Sequence, residues 1–155
     1  IFVFFLDFEG YPDNNKFIFK EISLFNTRNR AYLNYFIQTN PPKNQKTYNW
    51  LVNNFHLIEH SYGDIKFKEL LKKLQCKNHI YYVKGAHKVK LLSKILKNNI
   101  ILNLEQFGCP SYKNLSEPPI KLLCKYKKHH DCDHCALSKV NKIAYWFENE
   151  NSSEH

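Results

Sequence analysis

Three cysteines and three histidines fall within twelve residues, Cys124-Lys-Tyr-Lys-Lys-His129-His130-Asp-Cys132-Asp-His134-Cys135. Thiolate and imidazole together form the ligand set of a tetrahedral zinc ion, and a shell closed by four protein ligands is structural rather than catalytic. Cys132 and Cys135 also make a C-x-x-C pair. A constellation of different chemistry lies near the start, where Asp7-Phe8-Glu9 follows the apolar run Ile1 to Leu6. One intervening residue on a strand puts both carboxylates on one face, where such oxygen ligands can hold Mg²⁺ or Mn²⁺. Two-metal phosphodiester cleavage needs further carboxylates, and a single Asp-x-Glu also describes a strand end that reaches solvent. The stretch 70–104 has no Asp or Glu but eight lysines, Lys84, Lys88, Lys90 and Lys94 among them. Positive charge there repels a metal ion and attracts phosphate.

The chain that positions these groups has 155 residues, enough for one domain with a sizeable core. An apolar fraction of 43% and an aromatic fraction of 15% describe a folded globule. Five cysteines, three of them crowded into one segment, fit a metal and a reducing, intracellular compartment better than a disulfide framework. Cys76 and Cys109 fit small buried residues rather than ligands. No apolar run reaches the roughly 20 residues that span a bilayer, and the first six residues lack the basic flank of a signal peptide. The absence of an initiator Met reads as a domain taken from a longer protein. The net charge of +9 points to a polyanion, with nucleic acid ahead of a membrane surface. General lysine and asparagine richness is the plain alternative.

Hydrophobic periodicity predicts a continuous apolar strand over 1–7, a turn at 10–15, a strand from Lys16 to Phe25 and a third from Arg30 to Ile37. Helical spacing follows over Lys46 to His56, then over Ile65 to Gln75 with Asp64 as its cap. A short strand, Ile80 to Val83, precedes a basic helix from Ala86 to Lys97, with Lys84, Lys88 and Lys94 expected on its exposed side. A strand from Ile100 to Leu104, a loop and a helix from Asp133 to Glu148 complete the pattern. The aromatics Phe2, Phe17, Phe19, Tyr81 and Trp146 fall at inward positions and read first as core, although exposed rings can stack on bases. Residues 1–148 are expected to form the domain and 149–155 a disordered tail. A three-strand meander followed by alternating strand and helix predicts an α/β mixed sheet with helices on both faces. This is the element order of the ribonuclease H-like fold.

Phe5-Leu-Asp7-Phe-Glu9-Gly10 resembles the first motif of the 3′–5′ exonuclease family that uses an Asp, Glu, Asp, Asp set with a catalytic His. His134-Cys-Ala136-Leu137 is similar to that family's last motif. The resemblance implies metal binding by Asp7 and Glu9 and a general-base role for His134. The family's final Asp, five residues after the His, is replaced by Lys139, and its middle Asp has no counterpart in 70–104. Loss of those carboxylates implies impaired two-metal catalysis.

A second resemblance, to the Maelstrom domain and related insect domains, rests on Leu104-Glu105, Cys109-Pro-Ser111, Cys124 and His134-Cys-Ala-Leu137. That domain is a degenerate relative of the same exonucleases from germline small-RNA silencing, with a zinc site of Glu, Cys, His and Cys. It implies Glu105, Cys124, His129 and Cys135 as Zn²⁺ ligands, with His130 and Cys132 as alternatives. Together these readings give the expectation of a zinc-stabilised domain that binds nucleic acid, single-stranded RNA first, through Lys84, Lys88, Lys90 and Lys94 with little or no catalysis. An active nuclease using Asp7, Glu9 and His134, and a protein-interaction module of a silencing or mobile-element protein, are the alternatives.

Overall fold

The computed structural model describes residues 2–40, 43–46, 49, 62–75, 78–122 and 135–153. Its centre is a six-stranded mixed sheet in the order β4-β3-β2-β1-β5-β6. The strands are β1 (Val3–Asp13), β2 (Lys16–Asn26), β3 (Tyr32–Gln38), β4 (Ile65–Lys66), β5 (Ile80–Val83) and β6 (Ile100–Asn103). β1, β2 and β3 form the antiparallel meander, while β5 pairs with β1, and β6 with β5, in parallel. The α-helices lying wholly within the described residues are α1 (Phe67–Leu74), α2 (Ala86–Ile95) and α3 (Ala136–Ser153).

β1 carries the core on both sides, as a continuous apolar run should. Its even-numbered residues Phe4, Leu6 and Phe8 pack with Leu70 and Leu74 of α1 and with Leu92 of α2. Phe5, on the other face, packs with Phe25, Leu104 and with Val140, Ile143 and Ala144 of α3. Helices therefore cover both faces, as the alternating pattern requires. Phe19 and Tyr81 are buried as expected, whereas Phe2, Phe17 and Trp146 pack only partly buried against the core.

The meander departs from its sequence reading at the first turn. Residues 10–13 continue β1, and the reversal is made by Asn14 and Asn15 at φ 48° and 64°. Two consecutive left-handed residues form the hairpin turn whose twist matches the flanking strands, and Asn tolerates that conformation. Gly10 instead sits at a β-bulge. Glu9 pairs with Glu21 and Gly10 with Phe19, which leaves Lys20 as the extra residue. The Lys20 ammonium is buried, donates to the carbonyls of Ile37 (2.7 Å) and Tyr62, and burial lowers its pKa to about 8.

Asp64 does not cap a helix. Its Oδ1 accepts from the Phe36 N–H (2.9 Å) and its own N–H donates to the Phe36 carbonyl (2.8 Å), which ties the two-residue β4 to β3. Lys66 occupies the N-cap position of α1 without a side-chain cap. α3 continues to Ser153, past the boundary expected at Glu148. The expected helix at Lys46 to His56 lies largely outside the described residues. Among the described residues no helix is long and apolar enough to cross a membrane.

A Cβ at Gly10 would lie 2.0 Å from the Ile18 carbonyl oxygen and 2.8 Å from the Phe17 ring. Backbone cannot yield as a side chain can, so Gly10→Ala should destabilise by about 3 kcal/mol, the upper end of overpacking costs. Urea unfolding followed by circular dichroism measures this, and an unchanged midpoint would contradict the bulge geometry.

Candidate functional site

Strand register collects one polar row on the face that α3 covers. Asp7 pairs with Ser23 and Glu9 with Glu21, and Ser23 in turn pairs with Asn34. Side chains on directly paired residues share a face, so these five polar groups meet beneath a helix. Asp7 and Glu21 are 0% exposed and Glu9 is 4% exposed. Unpaired carboxylates at that depth would cost several kcal/mol each.

The compensating charges come from helices. Lys88, in the first turn of α2, places its Nζ 2.5 Å from Asp7 Oδ1, 2.8 Å from the Phe8 carbonyl and 3.5 Å from Glu9 Oε1. Lys139 of α3 lies 2.7 Å from Glu9 Oε1. Burial raises the Asp7 carboxyl above the ordinary value and Glu9 adds to it, while Lys88 and Lys139 pull the other way. Burial opposes charge on Lys88, but Asp7 and Glu9 outweigh it and hold that ammonium above the usual lysine value. Asp7 and Glu9 are brought together as the strand spacing predicts. They meet an ammonium each, and with Lys88 and Lys139 in place they do not fit a divalent ion.

A second pair closes the site at the ends of the parallel strands. Lys84, after β5, is 2.9 Å from Glu105 Oε2 in the 3₁₀ turn after β6. Asn103 orders both segments by accepting from the Gly85 and Glu105 N–H groups, each at 3.0 Å. Gly85, at φ 107°, turns the chain from β5 into α2 in a conformation that favours glycine. The Tyr112 ring lies between Lys84 and Lys139, each Nζ 5.1 Å from its centroid. Burial, together with Asp7, Glu9, Cys109 and Glu105, holds the Tyr112 hydroxyl well above its ordinary pKa. Burial likewise pushes the Cys109 thiol up to about 11, so it is a neutral, inert group at neutral pH.

Glu21 is the functional residue that sequence reading passed over. Its Oε1 accepts from the Ala136 N–H at the start of α3 (3.0 Å), and its Oε2 accepts from Asn34 Nδ2 (2.8 Å). Cys135 Sγ is 3.7 Å from the same Oε2. A carboxylate at a helix N-terminus satisfies orphan N–H groups and opposes the helix dipole. The signal was present as a charged pair, Lys20-Glu21, inside an otherwise apolar strand.

Of the expected zinc ligands, Cys124 and His129 lie outside the described residues, as do His130, Cys132 and His134. Cys135 is buried beside Glu21, and Glu105 is engaged by Lys84. No group of three or more His, Cys, Asp or Glu able to hold a metal occurs among the described residues. Of the expected nucleic-acid lysines, Lys90 and Lys94 are exposed on α2. Lys84 is only 8% exposed and Lys88 points into the carboxylates, which corrects the expectation that both lie on an exposed side. Comparison with protein families, curated proteins and solved structures found no match.

Replacing Lys88 by Met removes the charge but keeps the packing stem. Removing one partner of a buried pair should cost about 3 kcal/mol at pH 8. Asp7 then loses the cation that opposes burial, so its folded pKa rises further above the unfolded value. The folded variant takes up a proton that the unfolded chain does not, and its stability deficit should shrink as pH falls toward 5. Chemical denaturation at both pH values tests this, and a deficit independent of pH would show that Lys88 does not neutralise Asp7.

Proposed function

We propose that this chain is a catalytically inactive, ribonuclease H-like domain that binds nucleic acid, RNA first, on a lysine-rich helical face. One observation carries the reading. Two lysine ammonium groups stand on the carboxylates that metal-dependent cleavage would require. The strand order, a meander followed by parallel βα units with Asp7 and Glu9 on the central strand β1, is compatible with descent from such an enzyme. The resemblance to the Maelstrom domain fits the same proposal, with Glu105, Cys124, His129 and Cys135 as a structural zinc shell.

Binding is supported by where the unburied charge lies. α1 and α2 lie on the same side of the sheet, over the even-numbered residues of β1. Among the described residues they and their flanks carry exposed Lys66, Lys68, Lys72, Lys90, Lys94 and Lys97 against two exposed acids, Asp64, which accepts from the Phe36 N–H, and Glu69. Phosphate neutralisation by such a face is independent of sequence and sensitive to salt.

Anisotropy of a labelled single-stranded RNA 12-mer over a salt series tests the proposal. Log affinity should fall linearly with log salt, by roughly 0.7 per phosphate contact, and Lys68→Ala/Lys72→Ala/Lys90→Ala/Lys97→Ala should flatten that slope. The same RNA should stay intact in Mg²⁺ or Mn²⁺ with wild type and with Asp7→Asn/Glu9→Gln alike. Cleavage lost in the double variant would establish a nuclease instead, and absence of salt-dependent binding would leave the protein-interaction reading.

A further inference from the structure

The β1–β2 hairpin runs well beyond the carboxylates, and between its tip, the end of β3 and helices α1 and α2 lies an open cavity of about 680 Å³. We infer that this cavity is a single-stranded RNA groove, in which bases stack on the phenylalanines of its floor while lysines on its rim hold the backbone. The inference rests on the nucleic-acid reading above and assigns it a place.

Its floor is aromatic. Phe17 and Phe19 of β2 meet edge to face at 5.0 Å, and Phe19 stacks with Phe67 of α1 at 5.8 Å. Phe19 is buried, but Phe17 and Phe67 are only partly so, and both line the cavity. Partly buried rings that line an open cavity of this volume can take a base against them, and stacking tolerates any sequence because each base has a π-face. Bases in a duplex are already stacked, which selects a single strand.

Its rim is cationic. Lys16 at the hairpin turn, Lys43 after β3 and Lys94 on α2 line the cavity from three sides. The acid there, Asp13, is engaged: its carboxylate accepts from the backbone N–H groups of Lys43 (3.1 Å) and Asn44 (3.3 Å). Asn15 and Asn40 add amide groups to the rim, suited to hydrogen bonds with a ribose 2′-hydroxyl. Lys94 is shared with the basic face of α2, so groove and face form one continuous track. The buried carboxylates project to the opposite face of the sheet.

The test uses an RNA 12-mer carrying 2-aminopurine, whose fluorescence is quenched by stacking. Wild type should quench it. Phe17→Leu keeps an apolar side chain but removes the ring, so quenching should be lost and affinity should fall roughly tenfold, with the salt slope unchanged. Lys94→Glu, at an exposed position, should weaken binding and flatten the slope without dependence on the core. Thermal unfolding of each variant establishes that it is folded. If both variants match wild type while Lys68→Ala/Lys72→Ala/Lys90→Ala/Lys97→Ala still weakens binding, the groove is wrong and the helical face stands. If wild type shows no salt-dependent RNA binding, both fall. Equal quenching and affinity for the DNA 12-mer of the same sequence would overturn the assignment to RNA, and equal affinity for the RNA duplex would overturn the assignment to a single strand.

Discussion

Carboxylates buried between a sheet and a helix must have counter-charges, and in this chain the helices supply them. Asp7 and Glu9 project from the middle of β1 beneath α3, Lys139 descends from α3, and Lys88 reaches them from the start of α2. The arrangement joins elements remote in sequence: 81 positions separate Lys88 from Asp7, and 130 separate Lys139 from Glu9. Glu21 adds the third link by receiving the first N–H of α3. Packing of α3 on the sheet and neutralisation of the polar row are therefore one event. α2 and α3 each bring one lysine to Asp7 and Glu9, while the buried Glu21 is met by the first N–H of α3 and by Asn34.

The same feature gives the two faces of the sheet different chemistry. On the α3 side the polar row is closed, with charges matched over short distances. On the α1 and α2 side the core is apolar, with aromatic rings continuing along the extended hairpin. The bulge at Gly10 lies between these regions and lets β1 and β2 carry on past the carboxylates. Without the extra residue the register of Phe17 and Phe19 would flip to the other face.

Much of this was legible from residue patterns. The meander, the strand Ile80–Val83, the following helix and the last helix were all readable because their apolar periods are strong. Lys139, where the exonuclease pattern has an acid, and the acid-free stretch 70–104 already pointed away from a metal-loaded pair. The direction of the lysines was not legible. Lys84 and Lys88 stand at the entrance to a helix, where a long side chain can reach back across the strand ends, and helical periodicity ranks faces without registering that reach. Asp64 was misread for a related reason: an Asp before a helix resembles a cap, yet the edge of β3 supplied a better donor. The turn failed because Gly and Pro outweighed Asn14-Asn15, although only the asparagines adopt the left-handed conformation.

Where a polyanion can bind follows from the same electrostatics. Around the carboxylates, Lys84, Lys88 and Lys139 face Asp7, Glu9 and Glu105, so the six charges cancel. A phosphate approaching that cluster would have to break short ion pairs and leave carboxylates exposed to its own charge, a costly exchange in a desolvated site. The net charge of +9 must then reside elsewhere on the chain. Apart from Lys88, the lysines of α1 and α2 and of the groove rim face solvent with few acids beside them. Neutralising the buried carboxylates from within thus has a second effect: it removes the repulsion that an unpaired acidic cluster would exert on any approaching anion.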